Sequence, residues 1–205
     1  MKLIYIAALI LLILIVILCI WIYRESKEFC VTFYQYATEK INQDQVKIVM
    51  LSDLHDKVFG DCNEPLIQAI DEISPDIIVF AGDMVTSSME LTYDYSSTIE
   101  FIGRLAEHYP IYYGMGNHEE KFRRCEERFP GKYQELSEKL AKFGVHIMDN
   151  ECAYVKEAGI YIYGLTLEHE YYRRVITKHI PDGYLERIFG KKDSAGYHIL
   201  LAHNP

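Results

Sequence analysis

Apolar positions in this chain fall into three kinds of pattern. The first is a single unbroken run, Leu3 to Tyr23, 21 residues without a formal charge. A helix of that length spans the hydrocarbon core of a bilayer. The second kind is the short β-branched run that reads as a strand buried on both faces: Val46–Leu51, Ile77–Ala81, Ile111–Met115 and Tyr197–Ala202. The third has helical spacing. Leu66, Ile67, Ile70 and Ile73 share one face of a predicted helix over Glu64–Ile73. Ile99, Ile102, Leu105 and Ala106 do the same over Ser96–His108, and a third helix runs over Gly131–Phe143 with Gly144 as its C-terminal cap. Strand and helix alternate three times at the period of a βα unit, which predicts an α/β fold with a parallel sheet under covering helices.

After Val145 the pattern shortens. Val145–Met148, Cys152–Lys156 and Ile160–Leu165 read as strands of an antiparallel or mixed extension, broken by Asn150 and Gly159. Glu168–Lys178 has helical character, and Ile180-Pro181-Asp182-Gly183 reads as a turn. Between the apolar run and the first core strand, Phe29–Gln45 is rich in aromatics. Val31, Phe33 and Gln35 alternate there with Thr32, Tyr34 and Tyr36, the signature of a juxtamembrane strand and turn. The predicted organisation is an anchor at 1–23, a juxtamembrane segment at 24–45 and one domain at 46–205.

Composition refines the reading. The first apolar run lacks the small residues of a cleavage site after Cys19-Ile20-Trp21-Ile22-Tyr23, which favours a retained single-pass anchor over a cleaved signal peptide. Trp21 and Tyr23 suit the membrane interface. Orientation stays open. Basic residues flanking the span favour a cytoplasmic domain, whereas a very short N-terminal tail before a long apolar helix favours an external one. Beyond the span, 20 basic residues face 30 acidic ones. That balance excludes general nucleic-acid binding, which needs a positive surface. The four cysteines beyond the span form no CxxC pair and are expected to be unpaired packing residues.

The ends of the four apolar runs carry the chemistry. Asp53-Leu54-His55 follows the first; on an extended chain these two side chains point the same way, about 6–7 Å apart. A helix cap with an incidental histidine explains that string equally well. Gly82-Asp83 follows the second run, where parallel sheets place their ligands, although Gly82 also permits a plain turn. Gly116-Asn117-His118-Glu119 follows the third: Asn117 offers a neutral amide oxygen, and His118 projects differently, as a proton donor or phosphate contact. His203 ends the fourth, with His198 on the opposite face. Oxygen and imidazole groups at four successive strand ends predict one pocket for two divalent cations.

These strings resemble the calcineurin-like metallophosphoesterase superfamily, whose pattern is DxH, GD, GNH followed by an acid, a lone His, then GHxH. The resemblance covers Val46 to Pro205. Leu51-Ser52-Asp53-Leu54-His55 behind a membrane segment is similar to the membrane-associated bacterial branch of the YaeI and YkuE type. The resemblance implies a two-sheet β-sandwich flanked by helices. It implies that Asp53 and His55 bind one metal, Asp83 bridges two, Asn117 and His203 bind the second, and His118 is the catalytic histidine. The cofactors implied are two divalent ions, Mn, Fe or Zn. The function implied is hydrolysis of a phosphodiester or phosphomonoester by a hydroxide activated between them, with an envelope or lipid-linked substrate suggested by the anchor.

The chain departs from that pattern in one respect. It reaches Pro205 without GHxH, so the fold is expected to be incomplete at its C-terminus and the chain to be a truncated frame or a fragment. The alternative function is therefore a weakly active or inactive membrane-anchored relative that serves as a binding or structural module. Lys121, Phe122, Arg123, Arg124 and Arg128 after the third string could approach a substrate phosphate, but a solvated helix face interleaved with Glu126 and Glu127 is the expected reading.

Overall fold

Seven strands and six α-helices form the computed structural model, which describes residues 2–88, 93–172, 179–192 and 195–203. The apolar run is helix α1, Lys2–Glu25. Its span Ile4–Glu25 has a mean hydropathy of 3.3, apolar and long enough to cross a membrane; a signal sequence has the same character. The segment that follows departs from the expected strand. Phe29 to Thr38 makes no ladder, and Phe33, Tyr34 and Tyr36 are exposed. Alternation there is not matched by ladder hydrogen bonds to another strand.

Two sheets make the body. Strands β1 (Ile48–Leu51), β2 (Ile77–Ala81), β3 (Ile111–Gly114) and β4 (His146–Met148) lie in that order, all parallel. Strands β5 (Glu151–Val155) and β6 (Ile160–Leu165) pair antiparallel, and β7 (Tyr197–Ala202) joins β6 in parallel. The period of two in each strand assigns its residues to two cores. Ile78 and Phe80 of β2, with Ile111 and Tyr113 of β3, face helices α2 (Glu64–Ile73), α3 (Ser96–Ala106) and α5 (Lys132–Lys142). Ile77, Val79 and Tyr112 face Ile160, Ile162 and Leu201 of the second sheet. β2 is buried from Ile77 to Phe80 because it is covered on both sides, as its continuous apolar run required. The result is an α/β architecture of two stacked sheets flanked by helices.

One helix was not anticipated, and another was expected only as a solvated face. Asn117–Arg124 is α4, which starts directly after Gly116, and Tyr184–Phe189 is α6, which starts after the turn at Gly183. α4 covers most of the expected solvated face, but Phe122 within it is fully buried, and Arg123 and Arg124 hold Asp149 and Glu120. Of the helix expected over 168–178, His169–Tyr172 forms one 3₁₀ turn and 173–178 lies outside the described residues. The cysteines are unpaired, but Cys30, Cys62 and Cys152 are exposed rather than packed; Cys125 alone of these four packs on the core.

Because β1, β2 and β3 are parallel, the residues after Leu51, Ala81 and Gly114 emerge at one end of the sheet. β7 brings His203 to the same place, where its ring reaches Ala81 and Asp83.

Candidate metal centre

The loops after β1 and β2 run side by side. Asp53 N donates to Gly82 O, His55 N to Asp83 O and Asp56 N to Met84 O, each at 3.1 Å. This ladder is not extended strand. Asp53, His55, Asp56 and Asp83 all take left-handed backbone conformations, with φ of 54°, 50°, 57° and 52°. Each costs a non-glycine residue roughly 1–2 kcal/mol, and such strain gathers at functional sites. The twist turns Asp53 and His55 toward each other: Oδ1 and Nε2 are 3.6 Å apart, well inside the separation an extended chain allows. Gly82 (φ 91°) and Gly116 let the second and third loops touch, since a Cβ on Gly82 would come within 2.6 Å of Gly116 Cα.

Asp83 sits at the centre, 2% exposed. Its Oδ2 lies 3.7 Å from His55 Nε2, 3.7 Å from His118 Nε2 and 3.1 Å from His203 Nε2. Two groups of potential ligand atoms share it: His55, Asp83 and His118, and Asp53, Asp83 and His203. Burial pushes the Asp83 carboxyl up, but the bond to His203 and the amide of His118, which donates to Oδ1 at 2.8 Å, leave it below the ordinary carboxylate range. His203 moves the opposite way, up to about 9, chiefly through the same bond to Asp83. Asn117 opens α4 between Gly116 and His118.

The two inner histidines are oriented by opposite contacts at Nδ1, a carbonyl for His203 and an amide for His118. His203 Nδ1 lies 2.9 Å from the carbonyl of Ala81, which can only accept, so Nδ1 carries the proton and Nε2 faces the carboxylates. That is how a metal-ligating histidine is oriented by its second nitrogen. His118 Nδ1 accepts the Ser87 amide at 2.7 Å, so its neutral ring carries the proton on Nε2. Burial lowers the His118 pKa, and a second proton on Nδ1 would confront that amide. His118 therefore presents a hydrogen-bond donor to the cluster, whereas His203 presents a lone pair once its Nε2 proton leaves.

A family model described as calcineurin-like phosphoesterase matches residues 46–205. The chain belongs to this family. No curated protein sequence matches it. Membership makes it a metal-dependent phosphoesterase and a hydrolase by resemblance, in a family that uses divalent metals. Oxygen and imidazole donors around a buried carboxylate suit divalent transition ions, so the donor set of this calcineurin-like domain fits the metals its family employs.

Three supporting residues of the phosphoesterase cluster were not singled out in the sequence. Glu119, fully buried, accepts from Asp83 N (3.0 Å), Met84 N (2.9 Å), Gly116 N (3.0 Å) and Tyr113 Oη (2.6 Å). Burial raises its carboxyl, while the Tyr113 hydroxyl and the amides pull the other way. Asp56 accepts from Thr86 N (2.7 Å), Tyr93 Oη (2.6 Å) and Thr98 Oγ1 (2.8 Å). Ser87 sets the His118 tautomer. For Glu119 a signal existed: an acid three residues after Gly116 is the reaching half of a capping box. Asp56 and Ser87 carry no signal of that kind.

Proposed function

We propose that this protein is a membrane-anchored phosphoesterase that hydrolyses a phosphomonoester or phosphodiester at a centre of two divalent ions. The observation that carries the reading is the position of buried Asp83, whose Oδ2 lies 3.7 Å from His55 Nε2 and 3.1 Å from His203 Nε2. Asp53, His55, Asp83, Asn117 and His203 would hold the ions, with Mn, Fe or Zn suited to mixed oxygen and nitrogen ligation. Ions bound there supply Lewis acidity toward a phosphoryl oxygen and toward water. His118 contributes from its own geometry. Its Nε2–H would donate to an oxygen of the substrate phosphate as negative charge develops. The Ser87 amide at Nδ1 favours this stabilising role over full proton transfer. Residues 1–23 would anchor the domain of 46–205 through the linker 24–45, as in the membrane-associated bacterial branch, and an envelope or lipid-linked phosphate ester is the substrate such an anchor brings within reach.

Asp83→Asn tests the reading. Wild type should take up two ion equivalents by elemental analysis and hydrolyse p-nitrophenyl phosphate or its bis-ester with added Mn²⁺. The variant should lose at least 100-fold in kcat, because one neutral amide cannot bridge two cations. An unchanged rate would refute the enzyme reading and favour a non-catalytic module.

A further inference from the structure

A groove of about 570 Å³ runs between the segment Cys30–Tyr34 on one side and strand β1 with helix α2 on the other. We propose that this groove holds the acyl chain of a bilayer-resident phosphate ester whose phosphate lies at Asp53. The inference rests on the phosphoesterase reading and gives it a substrate class.

Its two ends differ in chemistry. The walls are apolar, formed by Val31, Phe33, Met50, Leu51, Leu66 and Ile73. Ser52, Asp53 and Lys57 line one end, and Asp53 belongs to the metal cluster. Lys57 Nζ rests 4.5 Å above the Phe59 ring, which also lines the groove, and supplies a cation that a phosphate can pair with. The other wall begins at Phe29, shortly after α1 ends at Glu25, so it adjoins the helix apolar enough to enter a membrane. An apolar channel with a membrane-proximal wall and a metal-and-lysine terminus matches a molecule with a hydrocarbon tail and a phosphate head. The volume lies within the range of small-molecule pockets.

Exposure points the same way. Met50 is 67% exposed, and across the groove Val31, Phe33 and Tyr34 are 45%, 78% and 79% exposed, apolar surface that a hydrocarbon chain would cover. β1 is an outer strand of its sheet, so the groove follows an edge that no neighbouring strand covers. A peptide strand added to that edge would use its backbone amides but would give no role to the polar end of the groove. A hydrocarbon chain needs no hydrogen bond and uses the apolar walls directly.

The test uses the full chain in phosphatidylcholine vesicles containing a phosphatidic acid with a diazirine near the end of one acyl chain. Photolysis in EDTA, where hydrolysis is blocked, should label β1 or α2, at Met50 or Leu66. Met50→Asp and, independently, Phe33→Asp should each cut that labelling at least fivefold. In Mn²⁺, kcat/KM for dioleoyl phosphatidic acid relative to p-nitrophenyl phosphate should fall at least tenfold in both variants. Labelling confined to α1, or equal in wild type and variants, overturns the proposal. Loss of labelling with dimer formation, seen by light scattering, also overturns it and assigns the β1 edge to a second copy. Wild type that labels as expected but hydrolyses no p-nitrophenyl phosphate counts against the phosphoesterase reading and leaves the groove assignment standing.

Discussion

Five donors converge on the carboxylate of Glu119, three of them amides of Asp83, Met84 and Val85 in the loop that presents Asp83. In Glu119→Gln one oxygen becomes an NH₂ that faces N–H groups. Buried donors then lose their acceptor, and the variant should be destabilised by roughly 3 kcal/mol, measured as a lower urea midpoint with an unchanged slope. His203 supplies a second residue-scale expectation. Its pKa is raised from 6.5 to about 9 in the metal-free protein. The bond to Asp83 therefore contributes stability that is complete below pH 6.5 and lost as pH rises through about 9. A metal ligated by Nε2 must displace the same proton. Apparent affinity for Mn²⁺ should rise about tenfold per pH unit from pH 7 and level off near 9, with matching proton release in calorimetry. A flat profile would remove His203 from the ligand set.

Single elements place the ligands through their ends rather than their lengths. Strands β1 to β3 are four or five residues long, and the proposed ligands Asp53, Asp83 and Asn117 follow two or three residues after their ends. The loop after β1 is then tied down by Asp56, whose three acceptor bonds reach Thr86 and Tyr93 in the second loop and Thr98 in α3. Asp56 touches neither ligand group, so it acts by positioning. Asp56→Ala should weaken metal binding roughly 10–100-fold, read by calorimetric titration, while Asp56→Asn, which keeps one acceptor oxygen, should recover part of that affinity. Equal affinity in all three proteins would show that the left-handed loop holds its shape without this network.

Contact between the two sheets decides whether β7 can deliver His203 at all. Gly164 of β6 packs against β4 so closely that a Cβ would overlap the carbonyl oxygen and Cβ of Met148. Neither obstacle is the movable end of a side chain. Gly164→Ala should therefore push the sheets apart, destabilise the fold by about 1–3 kcal/mol, and weaken metal binding together with stability. Measured by thermal unfolding with and without Mn²⁺, the stabilisation by metal should shrink in the variant. Gly114 stands under a similar constraint, with a Cβ position 3.0 Å from Leu201 Cβ of β7, so glycines thin the sheet interface on the side where His203 enters.

Local pattern alone was enough to locate most elements. α2 and β2 have the boundaries their periodicity predicted, because burial on one face or on both dictates which positions are apolar. The strings at the strand ends were legible for a related reason: metal chemistry restricts residue type, and parallel strands deliver their C-terminal ends to one edge. Tertiary structure decided the rest. The segment after Phe29 alternates like a strand but forms no ladder with β1, the edge strand across its groove. α4 is held by buried Phe122 and by ion pairs that its polar composition does not advertise. The separation of Asp53 and His55 depends on left-handed φ angles that those residue types do not prefer. The contrast between His118 and His203 comes from one amide and one carbonyl contributed by other loops. Periodicity reports what each residue buries, and residue type reports what it can bind. Distances and tautomers depend on which backbone groups arrive opposite, and only the folded chain brings those together.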